Sequence, residues 1–268
     1  MIFTRLLIFI CIAWRTLGYS QHTLSPQVSK FTIEALQLGT DKQIWIYLPK
    51  DYSENSAHYP TLYMQDAQNL FDAATSYAGE WEIDEYLDAN ASNNAIIIGI
   101  EHGNEKRMSE LTPYPNESYG GGNADAYLEF IIHTLKPHID STYRTLENAK
   151  STSIFGSSLG GLLLFYAILK HPEVFGSAGV FSASFWFNPE IFDVVAASQI
   201  SKNSRFYFLA GSAESDTMVP DQEKMVSLLL EKGVPQHQLT NIKVEGGQHN
   251  EALWRENFGQ AFIWLMSE

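Results

Sequence analysis

The chain has 268 residues, 45% hydrophobic and 18% charged: enough apolar mass to bury a sheet on both faces of one domain, and too little charge for a disordered chain. Its 31 acidic residues outnumber 17 basic ones, and the formal net charge of -14 repels nucleic acid and anionic membranes at long range. The single cysteine, Cys11, falls in an N-terminal segment expected to be removed, which excludes disulfides, cysteine nucleophiles and thiolate metal sites from the mature chain.

Met1 to Ser20 carry Arg5, then an apolar run from Leu6 to Trp14, then small residues at Gly18 and Ser20, the pattern of a signal peptide. Arg15 cuts the run short of the roughly 20 residues that a spanning helix needs, so residues 1–20 read as a cleaved export signal and not as a stable membrane anchor. Residues 21–268 are then one domain that works outside the cytoplasm, either periplasmic or released. Phe31–Leu38 and Gln43–Leu48 are strand-like runs around Gly39-Thr40-Asp41, an antiparallel hairpin at a sheet edge. After Pro60 strands alternate with helical stretches. The strands are Thr61–Gln65, Ala95–Glu101, Ser151–Phe155, Gly179–Ser182, Arg205–Ala210 and Ile242–Glu245. The helices are Glu80–Asp88, Ala124–Lys136, Ser158–Lys170, Pro189–Ala197, Asp221–Glu231 and Glu251–Met266. This order predicts an α/β fold, a mostly parallel central sheet with antiparallel N-terminal strands and helices on both faces. In the last helix Trp254, Phe258, Phe262 and Leu265 recur at helical spacing and read as a core stripe. Glu101 to Gly122 reads as a long Gly-, Pro- and Asn-rich loop, expected to lie over a functional site.

Gly156-Ser157-Ser158-Leu159-Gly160 matches G-x-S-x-G between a strand and an apolar helix, which is the setting of a nucleophile elbow in the α/β-hydrolase fold. Ser158 holds the central position, at a helix N-terminus that favours negative charge. A serine hydroxyl needs a base, and in this fold an acid and then a histidine follow the serine in the chain. His249 sits in the glycine loop Gly246-Gly247-Gln248-His249 before the last helix and is the expected base. His237, in a polar connection after Pro235, is the weaker candidate. The orienting acid is expected after the strand Arg205–Ala210, where Glu214 and Asp216 compete; Glu214, nearer the strand end, is favoured. Oxyanion donors are expected from the N–H of Leu159 and, in the loop Asp66 to Phe71, from the N–H of Gln68.

With these residues in place the chain resembles the esterase family of α/β-hydrolases that includes enterobactin-type siderophore esterases, feruloyl esterases, S-formylglutathione hydrolases and mycolyltransferases. The resemblance runs from about Gln43 to Leu265. It is carried by Tyr59-Pro60-Thr61-Leu62-Tyr63, Asp66-Ala67-Gln68-Asn69-Leu70-Phe71-Asp72, Arg107 before Glu110-Leu111-Thr112-Pro113, Gly120-Gly121-Gly122, the elbow and the glycine-histidine loop. It implies a triad of Ser158, Glu214 and His249 and an oxyanion hole shaped by Gln68 and Leu159. Ala67 departs from the glycine more usual after that aspartate, and the elbow lacks the histidine and methionine common around the serine in relatives.

Trp81, Arg107 and Trp186 are candidate substrate-binding residues. Trp81 is read as opening a helix, divided between core and pocket. Phe185-Trp186-Phe187 cannot bury three rings on one face, so one is expected to reach the cleft. Arg107 either binds an anionic substrate or clamps its loop to Asp66 or Glu110. The expected activity is hydrolysis of small extracytoplasmic carboxylic esters (simple acyl, siderophore or carbohydrate) through an acyl-enzyme, with no cofactor or metal. Acyl transfer to an alcohol or sugar uses the same residues, and a binding protein on a hydrolase scaffold is the alternative from another class.

Overall fold

The structure is a computed structural model and describes residues 22–90 and 94–267; the expected export signal lies outside the described residues. Strands β1 (Val28–Ala35) and β2 (Thr40–Tyr47) form the N-terminal hairpin, followed by β3 (Thr61–Gln65), α1 (Ile83–Ala89) and β4 (Ile96–Ile100). Next come α2 (Arg107–Glu110), the small pair β5 (Pro115–Asn116) and β6 (Gly120–Gly121), and helices α3 (Ala124–Phe130) and α4 (Lys136–Thr142), joined by a π-helical turn at Ile131–Leu135. The remainder alternates: β7 (Thr152–Ser157), α5 (Leu159–Lys170), β8 (Ser177–Phe181), α6 (Glu190–Ala197), β9 (Arg205–Gly211), α7 (Met218–Glu231), β10 (Leu239–Val244) and α8 (Glu251–Met266).

The main sheet has eight strands in the order β1-β2-β4-β3-β7-β8-β9-β10. The β1–β2 and β2–β4 pairs are antiparallel, and every pair from β4 to β10 is parallel. The period-two alternation of a strand divides the interior into two cores. Tyr63, Ile96, Ile98, Ile154, Phe206 and Phe208 face one core with α3, α5 and α6. Leu62, Met64, Ile97, Phe155, Tyr207 and Leu209 face the other with α1 and α8. Gly179 of β8 stands beside Phe155, and a Cβ there would lie 1.9 Å from the Phe155 ring.

Three local expectations are corrected. The hairpin turn lies at Leu36–Gly39 and not at Gly39-Thr40-Asp41: Gly39 takes φ 60 and its N–H donates to the Leu36 carbonyl, so the apolar Leu36 and Leu38 belong to a 3-10 turn. Trp81 does not open a helix. Its N–H donates to Asn69, Glu82 turns the chain at φ 54, and α1 starts at Ile83. The helix expected to end at Lys136 runs on to Thr142 through Pro137. The π turn Ile131–Leu135, ending two residues before Pro137, widens the ladder where a regular helix would need the N–H that proline lacks and would press its ring on a carbonyl.

Residues 22–25 cross the face of α1 as a strap. Thr23 donates its hydroxyl to Glu80 (2.8 Å), the Ser25 N–H donates to Asp84 Oδ2 (2.7 Å), and the Ser25 hydroxyl donates to Asp88 (2.8 Å). His22 Nδ1 meets Asp72 at 2.8 Å. Carboxylate oxygens of Glu80, Asp84 and Glu85 lie within 4.8 Å of one another beneath the strap. Burial pushes the Glu80 carboxyl up to about 7 and raises Asp84 further, with Glu85 beside it adding to the rise. A carboxyl whose folded pKa is raised binds more protons folded than unfolded, so its contribution to stability is full below the ordinary carboxylate range and is lost as pH rises through about 7. Asp72, whose carboxyl is held low by its hydrogen bonds, titrates below this window. The melting temperature should therefore fall between pH 5 and pH 8 in chelator-treated buffer, and Asp84→Asn should flatten that slope; a wild-type profile that rises over this range contradicts the assignment.

Candidate active site

The polar residues gather at the C-terminal ends of the parallel strands, the usual location of sites in open α/β sheets. Ser158 links β7 to α5 in a strained turn with φ 59 and ψ -125. Its N–H donates to Phe181 and its carbonyl accepts from Ser184, so β8 and its following loop hold both sides of the turn. Two glycines permit this packing: a Cβ at Gly156 would press on Leu164 at 3.1 Å, and one at Gly161 would lie 2.9 Å from the Phe181 carbonyl. At Gly160, the second glycine of the motif, a Cβ would find only an ordinary contact, 3.6 Å from Gln65. The close approach thus falls one residue later than the motif suggests.

Ser158 Oγ lies 3.0 Å from His249 Nε2, and His249 Nδ1 lies 2.6 Å from Glu214 Oε2. The carboxylate accepts from Nδ1–H, which leaves Nε2 to accept the serine proton. Gly211 and Gly247 bring the two loops together, since a Cβ on Gly211 would collide with the Gly247 backbone at 2.3 Å. The Ala213 N–H donates to the Gly247 carbonyl and the Ser212 N–H to Val244. The Glu214 side chain is 1% exposed. Its Oε1 accepts from the Gly211 N–H (2.5 Å) and from the Ser182 hydroxyl (2.8 Å). Asp216 is exposed on the same loop, and His237 is exposed beside a cavity lined by Lys150 and Arg205 at the opposite ends of the strands.

Two participants were missed by sequence reasoning. Ser182, fully buried at φ 46 just past β8, donates to Glu214 and accepts from Trp254 Nε1 (2.9 Å). Trp254, read as plain packing, also meets the His249 ring edge-on at 5.1 Å. An indole N–H buried beside a histidine loop is the signal that could have drawn attention to it.

The cleft around Ser158 has a volume of about 370 Å³ and is lined by Asp66, Gln68, Trp81, His102, Arg107, His249, Glu251 and Trp254, among others. Trp81 stacks on Phe181 and meets Trp254 at a tilt, forming the aromatic floor. Arg107 clamps Asp66 through two 2.7 Å bonds, the arrangement of the clamp alternative. Asp66 itself sits at φ 58, opening a 3-10 turn in which the Gln68 N–H has no backbone partner among the described residues. The N–H of Leu159, first in α5, has no intrahelical acceptor. Trp186 does not line the cleft: it is 50% exposed and packs edge-on against Tyr119, while Phe185 and Phe187 take the buried positions. The Glu101–Gly122 segment contains α2, β5 and β6, and sends His102 and Arg107 into the cleft. Burial raises the Glu251 carboxyl. Among the described residues the group able to hold a cation is Glu80, Asp84 and Glu85, beneath the N-terminal strap and not beside Ser158.

The eight-stranded sheet, with an elbow serine after β7, an acid after β9 and a histidine after β10, defines an α/β-hydrolase. Within that class, the chain belongs to the esterase family described as "Putative esterase", whose model matches residues 35–265. It is 28% identical over 238 residues to protein YbbA of Bacillus subtilis, covering 84% of this chain and 92% of that one. It is 24% identical to an iron(III) enterobactin esterase of Dickeya dadantii, covering 95% of this chain and 59% of that one. It is also 28% identical over 138 residues to a siderophore triacetylfusarinine C esterase of Aspergillus fumigatus, covering 48% of this chain and 45% of the other. The chain therefore spans between about half and three fifths of these named siderophore esterases. Among solved structures, the fold is shared with the BES protein from Bacillus cereus (TM-score 0.70, 20% identity, 92% of this chain and 97% of that one). It is shared too with an enterobactin esterase from Shigella flexneri (TM-score 0.73, 18% identity, 91% and 60%). Among the described residues no helix is long and apolar enough to cross a membrane.

Ser182 ties the acid to the aromatic floor, so Ser182→Ala should lower kcat on a simple aryl ester by roughly tenfold or more while the chain still folds, the scale of losing a hydrogen bond to a charged group. An unchanged kcat in the folded variant would show that Glu214 is held without it.

Proposed function

We propose that the protein is a serine carboxylic-ester hydrolase acting on small esters outside the cytoplasm, with Ser158 as nucleophile, His249 as general base and acid, and Glu214 as the orienting carboxylate. The observation that carries this reading is the continuous chain from Ser158 Oγ to His249 Nε2 at 3.0 Å and from Nδ1 to Glu214 at 2.6 Å, at a strained elbow. Ser158 Oγ attacks the ester carbonyl carbon and its proton passes to Nε2. The carbonyl oxygen takes up the negative charge, received by the N–H groups of Leu159 and Gln68. As the C–O bond breaks, the imidazolium returns that proton to the departing alcohol. Water then repeats the sequence on the acyl-serine, releasing the acid and restoring Ser158. Glu214 keeps Nδ1 protonated throughout and stabilises the imidazolium without taking its proton.

The family assignment and the relatives named for siderophore ester cleavage support ester hydrolysis. The apolar Trp81 and Trp254 floor suits an acyl or aromatic group beside Ser158. Purified protein should release phenolate from p-nitrophenyl esters. Ser158→Ala should abolish turnover, Glu214→Gln should lower kcat by about a hundredfold or more, and Asp216→Asn should stay within about twofold. Full activity of folded Ser158→Ala would overturn the reading.

A further inference from the structure

The charges on the cleft wall are unequal. Arg107 spends its guanidinium on Asp66, with both bonds at 2.7 Å. His102 accepts from the Asn104 N–H at Nδ1 (2.9 Å), which commits that nitrogen within its own loop. Among the described residues no lysine lines the cleft. Glu251 does: Arg107 and His249 act on it only through their charge, and among the described residues neither they nor any other side chain forms an ion pair or hydrogen bond with its carboxylate. It is buried as a residue yet open to the cavity. Its position at the start of α8 has a plainer explanation, a carboxylate at a helix N-terminus. That end, however, is already capped by Asn250, whose side chain accepts from the Leu253 N–H. What remains is a carboxylate in low-dielectric surroundings that lines the same cleft as Ser158 and is bonded to no residue beyond its own backbone N–H.

We infer that Glu251 sets the charge preference of the cleft: it receives a cationic or hydrogen-bond-donating group on the substrate and turns away esters that are negatively charged near the scissile bond. The inference rests on the esterase reading and deepens it. The clamped Arg107 offers an anion no charge that Asp66 has not already met, while Glu251 repels it. The net charge of -14 acts in the same direction at longer range.

The test uses three acetyl thioesters of similar size, those of thiocholine (cation), 2-mercaptoethanol (neutral) and 3-mercaptopropionate (anion). Each is measured as a substrate by thiol release and as a competitor of p-nitrophenyl acetate hydrolysis. The expected order of kcat/KM is cation, neutral, anion, with the cation ahead of the anion by roughly tenfold or more at low salt, mainly through KM. That ratio should shrink in 0.5 M NaCl and fall to within about threefold in Glu251→Gln, while Glu251→Asp keeps its sign. A role confined to the helix end would move stability and leave the ratio alone. Should Glu251→Gln fail to fold, the salt dependence in wild type and the Glu251→Asp ratio still decide. Equal rates, an anion preference, or a ratio untouched by Glu251→Gln overturns this inference alone, with p-nitrophenyl acetate still hydrolysed. Loss of p-nitrophenyl acetate turnover in folded wild type overturns the esterase reading itself.

Discussion

The backbone turn at Ser158 is the constraint around which the rest of the site is arranged. A non-glycine residue at φ 59 and ψ -125 costs on the order of 1–3 kcal/mol and persists only where its surroundings over-determine it. Here they do so from three sides. β7 fixes the chain before the turn and α5 fixes it after. The backbone of Phe181 and Ser184 holds it from β8, close enough that Gly161 can carry no side chain. The strain is local, and the sheet buried on both faces bears it.

From that fixed point Glu214 and His249 need only a short reach, because the loops after β9 and β10 touch. The Gly211–Gly247 contact removes the space that would otherwise separate Glu214 from His249. The Glu214 carboxylate is then oriented by donors from three directions: a backbone N–H, the Ser182 hydroxyl and the imidazole. A buried carboxylate is expensive without such partners, and its partners also fix which of its oxygens faces the histidine. The same logic recurs on the other wall, where Arg107 bonds both oxygens of Asp66 and holds the loop that carries Gln68.

How much of this was legible in the sequence depended on whether a role was carried by contiguous residues. The elbow and the glycine-histidine loop are short motifs tied to a strand–turn–helix order, and that order survived. The sequence favours Glu214 over Asp216 only for its nearness to the strand end; in the fold Glu214 is buried and bonded to His249, while Asp216 is exposed. Ser182 reads as the end of a strand, and its role arises from a positive φ that swings its hydroxyl between Glu214 and Trp254. Trp254 obeys the helical stripe that predicts packing, and it does pack; only its N–H distinguishes it. Trp186 failed the opposite way, since three adjacent aromatic residues do force one ring outward, but outward here is toward Tyr119 and solvent.

The edge-on contact between Trp254 and His249 gives the molecule an optical property. Any positive charge that develops on the imidazole arises 5.1 Å from the centre of an indole ring whose own N–H is pinned to Ser182. Indole emission responds to a nearby cation. The floor of this cleft is therefore also a built-in fluorophore, one that can register the charge state of the histidine without any label.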